Sequence, residues 1–466
     1  MLVVYFTVPQ RFKNAVLLLG SLLFYAWGEP KYVFLMIGII VLAYGCGLLV
    51  EAFRHTRAGR FVLLVSVGGV LSFLLYYKYA GFFLQNIEAL TGIRFSMAYP
   101  VLPAGISFYT FQAVSYLADV HRGEAAQHRL VQLAVYLAMF PQLIAGPIVR
   151  YGDIAVQLEH REHSWDLAAS GIRRFLYGMA KKILLANQLG ELCSVFRGTQ
   201  ERSVLFCWLY AVSFMLFLYF DFSGYSDMAI GLGRIFGFRF LENFRDPYSS
   251  DSITEFWRRW HISLGLWFRD YVYIPMGGGR AGKGRQIINL SVVWMLTGLW
   301  HGAGWNFAVW GLYFALLLTA EKLWLLAVWK RHPVLARCST LMFVMIGFVI
   351  FDAPNLAWAW AAIGALFGAW NIPLVSAQAW YCLKSYGTVL LLAVACSSPA
   401  VRNCCKQILL AAKTQWIKKS KTTQASLAEE APSGGVLELL GMAALLLFMT
   451  SYLVDGSFQP FLYFRF

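Results

Sequence analysis

The chain has 466 residues, of which 59% are hydrophobic, 17% aromatic and only 14% charged. Soluble domains lie nearer roughly 45–50% apolar and 25% charged, so a soluble globular fold is excluded. The net charge of +15 would suggest nucleic acid in a soluble protein; here basic residues flank apolar runs, as the positive-inside rule places them, and no nucleic-acid partner is expected.

The apolar runs are continuous rather than alternating, which points to helices and not to a barrel. The eight cysteines form no C-x-x-C pair, so packing thiols are expected rather than disulfides or a metal site. Residues 1–8 are too short to span and follow no basic region, so no cleavable signal peptide is read there.

Residues 15–27 and 32–50 are two apolar runs broken at Gly28, Glu29 and Pro30. Arg54, Arg57 and Arg60 place the next break in the cytoplasm. Residues 61–77 form a span, whereas residues 79–87 are too short to cross alone and are placed at the interface. Residues 102–121, LPAGISFYTFQAVSYLADVH, contain Pro103 and Gly105, and residues 130–150 contain Pro141, Gly146 and Pro147. Proline inside a span removes a helix hydrogen bond. Broken helices survive at membrane depth only where protein or a cavity surrounds them, so a central cavity is expected.

Residues 168–195 read as an amphipathic helix on the cytoplasmic surface, with Arg173, Arg174, Lys181 and Lys182 on its polar side. The strong span at 204–222 leads into YFDFSGYSDMAIGLGRIFGF, where Asp221 and Asp227 accompany small residues that permit close helix packing. Ser252 and Glu255 fit a capping box. A helix started there puts Phe256, Trp260, Leu264, Trp267 and Tyr271 on one face, with Arg258, Arg259, Arg269 and Asp270 in more polar positions.

The glycine-rich loop from Gly277 resembles a phosphate-binding loop, but Gly284 stands where Ser or Thr should ligate Mg²⁺ and no strand precedes it, so turn chemistry is the better reading. Residues 287–300 are apolar up to His301, and 306–326 form another span. Later spans are expected at 340–351, 357–370, 386–396 and 436–453, with a basic segment and polar linker over 402–435. The fold expected is all-α: a polytopic integral membrane protein forming a single membrane domain over residues 1–466. It has about ten to twelve transmembrane helices, plus re-entrant and interfacial helices.

Two histidines, His261 and His301, lie forty positions apart among tryptophans: Trp257, Trp260 and Trp267 near the first, Trp294, Trp300 and Trp305 near the second. Ionisable groups inside apolar walls are costly, which makes them functional candidates. A neutral imidazole in a protected site suits a general base. A hydrogen-bonded core histidine is the competing reading, and residue type alone leaves it open. No metal-ligand spacing accompanies either histidine.

Five stretches carry a resemblance: LPAGISFYTFQAVSYLADVHRGE, MFPQLIAGPIVRY, YFDFSGYSDMAIGLGRIFGF, ENFRDPYSSDSITEFWRRWHISLGLWFRDYVYIPMGGGR and LTGLWHGAGWNFAVWGLYF. In this order, across roughly residues 15–325, they resemble the membrane-bound O-acyltransferase family, in the bacterial branch of alginate and peptidoglycan O-acetyltransferases and of D-alanyl transfer to teichoic acids. The resemblance implies a ring of helices around a thin centre where a cytoplasmic tunnel meets an outer funnel. It implies that His301 is the catalytic histidine and His261 the second family histidine. Trp257, Arg258, Trp260, Asp227, Trp300, Trp305 and Asn306 are the site-lining candidates.

Family members usually begin with a longer hydrophobic segment than the nine residues before Gln10, so the first helix is expected to be incomplete here. The chain ends PFLYFRF, which resembles the family's aromatic terminus and makes Tyr463 the acyl-acceptor candidate; an interfacial aromatic anchor is the plain alternative. A phenol with a base beside it is a fair nucleophile.

The expected reaction carries an acyl group, acetyl first, from a cytoplasmic thioester to O-acetylate an extracytoplasmic polysaccharide or cell-wall polymer. The donor is acetyl-CoA or an acyl carrier thioester, and no cofactor is permanently bound. The setting is the bacterial cytoplasmic membrane, with the lipid bilayer as one partner. No G-x-S-x-G stretch or soluble domain is present, so a separate extracytoplasmic hydrolase-fold acetyltransferase is the expected partner. D-alanyl transfer, with an acyl carrier protein as donor, is the first alternative. A transporter or export component is the second, though no pair of related halves is visible.

Overall fold

A computed structural model describes residues 1–95, 100–280, 282–404, 407, 436–454 and 461. Long apolar runs become helices because lipid offers backbone groups no partner, and only a helix satisfies them within one segment. Six helices among the described residues are long and apolar enough to cross a membrane: Tyr32–Phe53, Gly59–Thr91, Val204–Ile235, Trp305–Trp329, Pro333–Asp352 and Ala377–Ser397. Shorter apolar helices at Leu356–Leu366 and Glu438–Val454 accompany them. Both proline-bearing stretches are broken as expected. The helix Ile106–Arg122 starts after Pro103, and Leu130–Ala138 stops before an irregular, almost wholly buried segment at 139–149.

The buried side chains form two clusters. One gathers buried residues from 5–158 with a few from 222–300, and the other draws on 186–393. The stretch at 251–306 is the seam between them. Leu264, Trp267, Phe268 and Trp300 belong to the first cluster, and Ile253, Phe256, Trp260 and Trp294 to the second.

Three sequence expectations change. Residues 79–87 do not form a separate interfacial piece: one helix runs through Gly59–Thr91, with a π-helical turn at Leu75–Tyr79. The segment expected to lie on the membrane surface instead packs along the long helix Val204–Ile235. Its basic side is neutralised there. Lys182 Nζ donates to Asp221 Oδ1 at 2.6 Å, Lys181 Nζ to Asp227 Oδ2 at 2.6 Å, and Arg174 to both Asp227 and Glu242. Third, the helix begun at Ser252 is not continuous. It divides into Ile253–Arg259 and Ile262–Phe268 at His261, whose backbone is left-handed at φ 45°.

The helix Trp165–Ala180 approaches the long helix through glycine. A Cβ at Gly178 would meet Gly224 O at 2.5 Å, and one at Gly171 would meet Gly231 O at 2.5 Å. This backbone-to-backbone contact brings the lysines within reach of the aspartates. Gly178→Val should therefore lower the melting temperature of the detergent-solubilised protein, at a cost of about 1–3 kcal/mol for overpacking. Gly38→Ala, where a Cβ meets nothing within 4 Å, should leave it unchanged.

Candidate active site

The first half of the site is built on the divided helix. Ser252 Oγ accepts from Glu255 N at 3.1 Å, the capping contact read from sequence. A second cap arrives from the span Trp305–Trp329: the Glu321 carboxylate accepts from Ile253 N, from Thr254 N at 2.9 Å and from Thr254 Oγ1 at 2.6 Å. The first turn is thereby fixed, and Trp257, Arg258 and Trp260 follow from it. The break at His261 is strapped by the preceding segment, since Arg245 N donates to Arg259 O at 2.9 Å and Ile262 N to Asn243 O at 3.0 Å. A left-handed non-glycine residue costs of order 1–3 kcal/mol and persists only when its surroundings over-determine it. Here the strap supplies that determination.

The second half is a helical hairpin. Lys283–His301 rises from the basic loop, turns at residues 302–304 and returns as Trp305–Ala320. The arms touch closely: a Cβ at Gly298 would lie 2.2 Å from Phe307 O. His301 is the last residue of the rising helix, where carbonyls lack intrahelical partners. Tyr79 Oη donates to Leu299 O at 2.7 Å, and Lys78 Nζ donates to Trp300 O and, at 3.2 Å, to Ser107 Oγ. A cation suits this negative end of the helix dipole.

The two halves meet around Trp300. Its ring lies 5.9 Å from that of His261 and 5.0 Å from that of His301. His261 also meets Phe222 edge-on at 4.6 Å, and His301 meets Trp310 at 5.2 Å and Phe351 at 5.1 Å. Both histidines line one cavity of about 480 Å³, with Trp257, Leu264, Leu290, Trp294 and Thr297 among its walls. Arg258, Arg269 and Lys322 line it too. Lys322 and His301 belong to opposite ends of the hairpin, so the cavity follows its length from a cationic rim to the imidazoles.

A second cavity of about 600 Å³ is lined by Asn306, Phe307, Phe351, Asp352, Trp358 and Arg197. Phe351 therefore stands between this space and His301. Beside the first cavity, outside the spans, Arg150 pairs with Asp270 next to Arg269. Asp119 accepts from Tyr271 Oη nearby at 2.8 Å.

The structure thus brings together His261, His301, Trp257, Arg258, Trp260 and Trp300. Asn306 belongs to the second cavity, where its Nδ2 donates to Ala353 O at 3.0 Å. Trp305 is 59% exposed and donates to Asn86 Oδ1 at 2.9 Å, so it does not line the histidine cavity. Neither does Asp227, whose carboxylate is committed to Arg174 and Lys181.

Tyr463 lies outside the described residues. Phe461, two positions earlier, is described: Tyr225 meets its ring at 5.0 Å and Lys182 Nζ stands 4.5 Å from its centroid. Sequence reasoning missed Lys78, Tyr79, Asn243 and Glu321. For Lys78 and Glu321 the signal was available, as charged residues inside apolar runs.

The family model for MBOAT, the membrane-bound O-acyltransferase family, matches residues 105–359. The probable alginate O-acetylase AlgI of Azotobacter vinelandii is 38% identical over 489 residues, covering 99% of this chain and 96% of that protein. The protein of the same name in Pseudomonas aeruginosa is 42% identical over 377 residues, covering 79% of this chain and 72% of that protein. A peptidoglycan O-acetyltransferase of Helicobacter pylori is 32% identical over 408 residues, covering 79% and 77%.

Glu321→Leu removes the acceptor for three donors at the start of the Ile253–Arg259 helix. Each buried orphan costs about 1–3 kcal/mol. A clear fall in melting temperature is expected, whereas Arg258→Ala at the exposed rim should leave the melting temperature unchanged.

Proposed function

This chain belongs to the membrane-bound O-acyltransferase family, and from that membership we propose that it carries an acetyl group from cytoplasmic acetyl-CoA towards an extracytoplasmic polysaccharide or cell-wall polymer. As a family member it is an O-acyltransferase and a multi-pass membrane protein. The observation that carries the finer reading is the single cavity lined by both histidines, with cations at its other end. Such a rim suits the phosphates of a nucleotide-linked thioester, and an apolar bore suits its thiol-bearing arm. Lys283, Arg285, Lys330 and Arg331 flank the ends of the hairpin, an excess that supports a cytoplasmic rim under the positive-inside rule; a bacterial inner membrane is the proposed setting.

In the reaction, His301 takes the proton of an acceptor hydroxyl as its oxygen attacks the thioester carbonyl. The tetrahedral adduct collapses, the C–S bond breaks, and the thiolate leaves with the proton. His261 supports this step. Tyr463 is the proposed first acceptor. The Phe461 ring packs on Tyr225, one helical turn from the Phe222 that touches His261. Two further residues of extended chain span at most about 7 Å. A phenyl ester, from a phenol of pKa about 10, passes its acyl group readily to a sugar hydroxyl. A separate extracytoplasmic acetyltransferase then completes the transfer.

His301→Ala, inserted normally, should lower acetyl transfer at least about 100-fold, the usual scale for a general base; retained polymer acetylation would remove the assignment. Tyr463→Phe should abolish label retained on the protein from radiolabelled acetyl-CoA, while the wild type retains it. Equal labelling of the two would exclude the tyrosine carrier. Arg258→Glu should raise KM for acetyl-CoA and leave kcat near the wild-type value. If a loaded acyl carrier protein, and not acetyl-CoA, supports turnover, the donor is the carrier.

A further inference from the structure

A histidine can enter chemistry as an acceptor or as a donor, and a hydrogen bond at one ring nitrogen decides which form the other takes. At His261 that bond is made by Asn243, whose side chain is buried behind the ring. Asn243 Oδ1 accepts from the Ser263 backbone N–H at 3.2 Å and from Ser263 Oγ at 2.9 Å. A backbone amide only donates, so the atom facing it is the oxygen and the amide orientation is fixed. On its other side, Nδ2 donates to Ser226 Oγ at 3.1 Å. The same Oδ1 lies 3.2 Å from His261 Nδ1. Facing an acceptor, Nδ1 must carry the proton, and Nε2 of the neutral ring then carries the lone pair.

We propose that Asn243 is a positioning residue that locks His261 in its Nδ1–H form, so that Nε2 works as a hydrogen-bond acceptor in the cavity shared with His301. The functional part of this rests on that cavity being the acyl-transfer centre. It sharpens the part His261 plays. A neutral ring held this way orients an O–H or N–H in the cavity. It does not donate to the oxyanion that forms on the thioester carbonyl, and that charge is stabilised by another group. The placement also explains the left-handed backbone at His261. Asn243 O takes the Ile262 N–H at 3.0 Å while Oδ1 takes the Ser263 N–H, so one residue both breaks the helix and orients the buried ring at the break.

The test is a nitrogen NMR spectrum of the full-length protein carrying ¹⁵N-histidine, with His261 assigned by its absence in His261→Gln. At neutral pH, Nδ1 should appear as a pyrrole-type and Nε2 as a pyridine-type nitrogen. The reverse pattern overturns the proposal whether or not any Asn243 variant folds. In kinetics, Asn243→Leu should lower kcat by about tenfold or more, as misorientation of a group at the reacting centre does, with KM for acetyl-CoA unchanged. Asn243→Asp, which keeps the acceptor, should restore most of kcat. A folded Asn243→Leu variant with wild-type kcat also overturns it. Activity surviving in His301→Ala would defeat the functional reading of the cavity while leaving the tautomer measurement standing.

Discussion

The end of a buried helix must find partners for its last carbonyls, and this molecule meets that need with a lysine. Lys78 reaches Trp300 O across a separation of 222 residues, and Tyr79 reaches Leu299 O beside it. Among the described residues no carboxylate forms an ion pair with Lys78. Two oxygen acceptors, the negative end of the helix dipole and the nearby Trp300 ring surround its amine. His301 is the next residue, so this closure holds the backbone from which its ring projects. The π-helical turn at Leu75–Tyr79 puts both donors on the side facing that helix end, and such turns recur at functional sites.

The same economy governs the other half. Glu321 holds the start of the divided helix and Asn243 holds its break. Each strap comes from a different part of the chain, and the two buried clusters meet along the helix they hold. The seam is polar only where hydrogen bonds satisfy it, which a water-poor interior requires. Lys182 and Asp221 form a comparable buried pair on the neighbouring helices, and the Phe461 ring lies beneath the lysine. Phe461 and the histidine cavity are thus tied to faces of the same long helix.

Much of this was legible in sequence because it is local. Composition gave a helical membrane protein, prolines marked the buried irregular segment at 139–149, and Ser252 with Glu255 marked a helix start that the structure repeats. The two histidines and most of the surrounding tryptophans also come together as their neighbourhoods suggested. What was hidden depends on distant partners. Nothing near His261 announces a left-handed backbone; residues 243–245 impose it. The basic side of residues 168–195 read as a surface because its acids lie on another helix. Asp227 looked like a site residue for the same reason, and Trp305 is turned outward by its bond to Asn86.

The central claim is that acyl transfer occurs where His261 and His301 share one cavity. The most direct measurement is a structure of the protein with a non-hydrolysable acetyl-CoA analogue bound. The acyl carbonyl should lie in that cavity within hydrogen-bond or near-attack distance, about 3–3.5 Å, of a His301 ring nitrogen or of an acceptor oxygen held by it, with the phosphates at Arg258, Arg269 and Lys322. An acyl group bound elsewhere, beyond reach of both imidazoles, would contradict it.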